Sequence, residues 1–267
     1  MLKKILKYDM REMLRRSSPL YILSGAFALL CCGLLFFVRA FEEVGEYAIG
    51  VNTAMSVYLF GLMGIAALMA ISLYQAITRY YRSLFSDEGY LNMLIPTDMS
   101  VIVFGKLIST YIWSLLSILT SAVSTAFAIA VPNLLYDPQG FIAFIETVFD
   151  FIGIGTNGHA ITCIVFGIIH GAVGLLELIT VIFLSITLGR LLFRRRRLIG
   201  SVIAYLCLTT AKSFVIGIGE SILLMTLKDS HLLILIDIIL ALAVTAGSAV
   251  LAYFANLWLM KNKINLD

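Results

Sequence analysis

The chain has 267 residues, a mean hydropathy of +1.00, 61% hydrophobic residues and only 13% charged residues. That composition excludes an ordinary soluble domain, and apolar windows long enough to cross a bilayer recur along the whole length. A formal charge of +3 leaves no broad basic surface for nucleic acid, and the placement of the charges matters more than their sum.

The N-terminal residues 2–16 read as an amphipathic helix. Leu2, Leu6, Met10, Met13 and Leu14 fall on one stripe, and Lys3, Lys7, Arg11 and Arg15 fall off it. Such a helix, spanning about residues 1–19, is expected to lie in the membrane interface with its basic side among anionic headgroups. Ser17-Ser18-Pro19 predicts a break before the first span. The apolar run 20–38 is expected to stay as a span, being too long for a signal-peptide core and lacking a small-x-small cleavage site after it.

Six spans are predicted, at about 20–38, 53–78, 102–131, 161–189, 198–225 and 232–259. The second carries Gly61, Met63, Gly64 and Met69, which suits close helix packing. The third carries Thr110, Ser114, Ser117, Ser121, Ser124 and Ala128 at steps alternating four and three, so all share one face. That face is either a packing seam or the lining of a path. Beyond Pro132, Asp137-Pro138 predicts the start of a short helix through the largely apolar run 141–152. Gly153-x-Gly155-x-x-Gly158 has no strand before it and reads as a loop.

The last three spans hold the buried charges. The fourth carries Gly167, His170, Gly171, Gly174 and Glu177 along one face; the fifth has Lys212 in its middle and Glu220 nearer one end; the sixth has Asp237. Charges inside spans are costly and face the protein or a wet cavity. Glu177 lies about 18 Å from the end of its span and Lys212 about 21 Å from the start of the next, counted at the helical rise. Consecutive spans joined by a short loop are usually antiparallel neighbours. An ion pair between Glu177 and Lys212 is therefore expected. The cysteines Cys31, Cys32, Cys163 and Cys207 sit in apolar runs without metal-ligand spacing, so no metal or cofactor is expected in this chain.

Sixteen of the nineteen basic residues fall on one side of this layout: in the N-terminal segment, in 79–106, in 190–197 and in the tail. The loops on the other side keep Arg39 and Lys228 and carry several acids. The topology is therefore expected to be N-in, C-in.

No Walker A, HExxH or GxSxG motif is present. Phe166-x-x-x-His170 matches one motif of intramembrane prenyl-protein proteases, but their paired-glutamate motif with a following Arg is missing, and a lone His is not a metal site. No catalytic constellation emerges, and the chain is not expected to be an enzyme.

The polar stretch 79–100 is the most distinctive segment. Ser86-Asp87-Glu88 is a helix start; Tyr90, Leu91 and Leu94 share an apolar face; Pro96 ends the helix. A short helix in the headgroup zone with an exposed aromatic-aliphatic face and acids at one end suits a partner. The chain here resembles the six-span membrane subunits of bacterial ABC exporters of the ABC-2 permease type, especially those of Gram-positive bacteria. The resemblance rests on Phe85-x-Asp87-Glu88-Gly89-Tyr90-Leu91, Leu94-x-Pro96, Lys106 and Trp113, with the basic end of the fourth span and the tail Lys261-Asn262-Lys263-Ile264-Asn265-Leu266. The short outer loop Thr226–His231 departs from the large re-entrant region of some eukaryotic relatives.

The resemblance implies an all-α membrane protein in a bacterial plasma membrane, with a coupling helix between spans two and three. Asp87, Glu88, Tyr90, Leu91 and Leu94 would dock into a separate ATP-binding subunit, present in two copies and holding ATP and Mg. A second permease chain, identical or sibling, would complete the path. Two other readings stand beside it. One is a self-contained secondary transporter using His170, Glu177 and Lys212 as a proton relay, although no internal repeat is visible. The other is a membrane partner that transports nothing.

Overall fold

A computed structural model of the chain describes residues 2–44, 48–85, 98–136, 138–151, 159–193, 196–226 and 230–262. Seven α-helices follow in order among them: α1 (Leu2–Val44), α2 (Ala48–Phe85), α3 (Met99–Tyr136), α4 (Pro138–Phe151), α5 (His159–Leu192), α6 (Arg197–Thr226) and α7 (Ser230–Asn262). No strand occurs among the described residues. All but α4 contain a stretch long and apolar enough to cross a membrane. A helix satisfies its backbone hydrogen bonds internally, which hydrocarbon demands of any spanning segment. The protein is thus a multi-pass, all-helical membrane protein by its architecture.

Two departures from the sequence expectation concern proline. Helix α1 runs straight through Pro19, so residues 2–19 are its first turns and not a separate element. Pro19 forgoes the hydrogen bond to residue 15. Packing holds the helix around that gap: Ser17 and Met13 are each 1% exposed, and Met13 sits in a core with Ala76 and Trp113, against which Tyr21, beyond Pro19, also packs. Lys3, Lys7, Arg11 and Arg15 stay exposed. Helix α3 likewise continues through Pro132 to Tyr136, and Asn133 Nδ2 donates to the Ile129 carbonyl at 2.7 Å on the same turn. The next helix begins at Pro138, where the Asp-Pro pair predicts a start.

The chain forms two compact units. One comprises Lys7–Ala76 and Ile112–Ile161. Its core gathers Ala28, Cys31 and Leu35 of α1, Tyr58 and Ile65 of α2 and Ala128 of α3. Gly61 lets α1 and α2 approach, because a Cβ there would collide with Cys31 Sγ.

The other unit comprises Met1–Leu6, Ile77–Tyr111 and Thr162–Asp267. It holds α5, α6 and α7 with the end of α2 and the start of α3. Val181 and Leu184 of α5 pack with Ala252 of α7, and Tyr205, Leu208 and Leu259 close around them. The end of α5 and the start of α6 pack closely. A Cβ on Gly189 would strike Ser201, and one on Gly200 would strike Phe193. This makes α5 and α6 the adjacent antiparallel pair that their short loop predicts.

Candidate functional site

Within the unit of α5, α6 and α7, a carboxylate of α5, an ammonium of α6 and a hydroxyl of α7 converge at mid-span. Lys212 Nζ donates to Glu177 Oε2 at 2.7 Å. Ser248 Oγ of α7 lies 3.0 Å from Glu177 Oε1 and 2.9 Å from the Thr245 carbonyl, with one proton to give. The Glu177 side chain is 11% exposed and that of Lys212 is 24% exposed. Mutual attraction and the Ser248 hydroxyl offset the cost of holding a carboxylate where lipid surrounds the protein.

The pair stands on the wall of a cavity of about 540 Å³ between the three helices. Apart from Glu177, Lys212, Thr209 and Ser248 the lining is aliphatic, with Val181, Leu208 and Val244 among it. Val215 and Leu251 also line it and are 57% and 72% exposed, so the cavity is open on its outer side. His170 does not join the pair. It stands about two turns before Glu177 on α5, and its buried Nδ1 has no hydrogen-bond partner. The three residues therefore do not form a contiguous relay.

A second polar cluster fastens the end of α2. Tyr80 is fully buried and stacks on Phe183 of α5, ring centroids 3.4 Å apart and planes 8° from parallel. Asn256 Nδ2 of α7 donates to the Tyr80 hydroxyl at 2.9 Å. Thr187 Oγ1 of α5 donates to Asn256 Oδ1 at 2.7 Å. One turn on, the Arg190 guanidinium lies 4.9 Å from the centre of the Phe85 ring, and its Nη1 donates to the Phe85 carbonyl at 3.3 Å. The last turns of α2 are thus tied to α5 by stacking, cation–π contact and hydrogen bonds, and to α7 through Asn256. The next residues in the chain are 86–97. Asp87, Glu88, Tyr90, Leu91 and Leu94 lie there, outside the described residues.

In the other unit, the hydroxyl stripe of α3 meets α1 and α2. Ser117 Oγ bonds Tyr21 Oη of α1 at 2.9 Å and Ser72 Oγ of α2 at 2.6 Å, and it donates to its own Trp113 carbonyl at 2.8 Å. Ser124 reaches Ser24 of α1 at 3.5 Å, and Ser121 reaches Met69 Sδ of α2 at 3.4 Å. Ser114, Ser117 and Ser124 are buried. Thr110 is buried too, on the part of α3 that belongs to the α5–α7 unit. The space beside Ser72, Ser117 and Ser121 is only about 10 Å³, room for about one water. From Ser117 to Ser124, then, the stripe packs helices together.

Ser248, Tyr80, Thr187 and Asn256 were not singled out by sequence reasoning. Asn256 carried a usable signal, because an amide inside a span needs partners. Among the described residues no three His, Cys, Asp or Glu side chains converge as a metal site would require.

No protein-family model, curated protein or solved structure matches this chain.

Proposed function

We propose that this chain is the membrane-spanning permease subunit of an ATP-driven exporter of the ABC-2 permease type, in a bacterial plasma membrane. The observation that carries the reading is the fastening of the last turns of α2. The segment that resembles a coupling helix follows directly after Phe85, and Tyr80 and Phe85 are locked to Asn256, Phe183 and Arg190. A push on residues 86–95 is transmitted to α5 and α7 as well as α2, because stacked rings and buried hydrogen bonds transmit displacement.

In this reading the amino and carboxyl ends and the 79–106 segment lie in the cytoplasm, where basic residues are retained. Asp87 and Glu88 face basic residues of an ATP-binding subunit, and Tyr90, Leu91 and Leu94 fill its groove. That subunit, present twice, binds and hydrolyses ATP with Mg; this chain does not. A second permease chain, identical or sibling, supplies six further spans.

The test is a photoreactive residue at position 90, introduced in the native membrane. It should capture an ATP-binding subunit, and Leu91→Asp should abolish that capture and uncouple transport while leaving membrane insertion unchanged. Capture of lipid alone, or full substrate-stimulated ATPase activity in the Leu91→Asp complex, overturns the reading.

A further inference from the structure

The cavity between α5, α6 and α7 has a chemistry that defines a ligand. We propose that it binds an uncharged single-chain amphiphile: an aliphatic tail carrying a hydroxyl or ester head. This does not depend on the chain being an exporter subunit, since binding is a property of α5–α7 alone.

Size comes first. A volume of about 540 Å³ falls within the range of about 300–1,000 Å³ typical of small-molecule sites. It is several times the ~150 Å³ of an apolar cavity that takes up benzene. The walls are aliphatic, so a tail is favoured over a polar solute. Val215 and Leu251 line the cavity while remaining exposed on the outside of the helices, which gives a tail a way in from surrounding lipid.

The polar centre selects the head. An ammonium has three donors, and Lys212 has one described bond, to Glu177. Ser248 gives its single proton to one acceptor at a time and keeps lone pairs to offer. A hydroxyl fits both needs, accepting from Lys212 and donating to Ser248; an ester carbonyl meets the first. Glu177 already neutralises Lys212, so the centre has no net charge. An anionic or cationic head would bring an uncompensated charge to mid-span, which lipid disfavours. A phosphate- or trimethylammonium-headed chain is therefore excluded where an alcohol is admitted.

Gly247 supplies a clean test. It lines the cavity, and a Cβ added there meets no atom within 4 Å. Gly247→Phe should thus enter the space while leaving Glu177 and Lys212 themselves unchanged in the chain. The experiment uses the full chain in lipid nanodiscs with a photoreactive long-chain alcohol, its alkyl-phosphate analogue and its alkyl-trimethylammonium analogue. Labelled residues are read by mass spectrometry. The alcohol should label cavity residues of α5, α6 and α7, excess unlabelled alcohol should compete, and Gly247→Phe should reduce the labelling at least about tenfold. Lys212→Met with Glu177→Gln, which removes the head's partners but keeps the tail's, should weaken it by about tenfold, the ratio that a hydrogen bond to a charged group carries. Folding of each variant is checked by its monodisperse elution and helical content.

The proposal is overturned by labelling that Gly247→Phe leaves unchanged, or by equal labelling from all three head groups. It is overturned equally if cysteines at positions 215 and 251 cross-link to a second copy of the chain and exclude the probe. That result would assign the opening to a protein interface.

Discussion

Asn256 holds Tyr80 from across the unit: its Nδ2 donates to the Tyr80 hydroxyl at 2.9 Å, while its Oδ1 accepts from Thr187 at 2.7 Å. One amide thus joins α2, α5 and α7. Tyr80→Phe leaves a buried amide donor without an acceptor, at a cost of about 1–3 kcal/mol. Asn256→Leu combined with Tyr80→Phe removes both partners and should restore part of that loss. Unfolding in mixed micelles, followed by circular dichroism, measures the difference. A neutral Tyr80→Phe would show that the hydroxyl contributes nothing.

The ion pair makes a stronger claim. Glu177→Gln or Lys212→Met alone strands a charge at mid-span, which costs about 3 kcal/mol. The double replacement should be less damaging than either single one. Folded yield in the membrane, read through a fluorescent carboxyl-terminal fusion, provides the cycle. Strictly additive losses would count against the pair.

Two glycines on adjacent helices should behave oppositely. Gly61→Val forces α1 and α2 apart, because its Cβ meets Cys31 Sγ, and should cost about 1–3 kcal/mol. Gly25→Ala adds a Cβ with no atom within 4 Å and improves helix propensity, so it should be neutral or stabilising by up to about 1 kcal/mol. Thermal aggregation temperatures of the two variants against the parent decide this.

Assembly is the fourth prediction, and it rests on the proposed function. The most apolar window of the Leu198–Leu223 span has no buried residue. That helix is available to lipid or to a second chain. A dimer of identical or sibling chains is expected by native mass spectrometry from lipid nanodiscs. A monomer that still transports after reconstitution would end the idea.

Much of this architecture is legible in the sequence, for a physical reason. Hydrocarbon imposes length and apolarity on a span, so the six spans follow from composition alone. Depth counting also places Glu177 opposite Lys212, because the rise of a helix is constant. The third member, Ser248, carries no such mark: a serine among Ala, Gly and Val is ordinary in a span, and only packing selects it. Ser17-Ser18-Pro19 fails as a stop because local propensity is weak against the burial of Met13 and Ser17. Periodicity identifies the stripe Leu2–Leu14 but does not say what it faces. Met13 faces protein, while Leu14 stays exposed. The face from Thr110 to Ser124 is legible as a face, but its use depends on what Tyr21 and Ser72 do opposite it.

Those two partners settle a question of valence. The hydroxyl of Ser117 has one proton and two lone pairs. With one proton, Ser117 donates to only one of the Trp113 carbonyl, the Tyr21 hydroxyl and the Ser72 hydroxyl at a time, and the three contacts together occupy the proton and both lone pairs. Nothing on that oxygen is left to offer a passing molecule. A translocation path needs groups that take hold and let go in turn, and a saturated oxygen between three helices does neither. Ser117 serves as a closed joint that α1, α2 and α3 share.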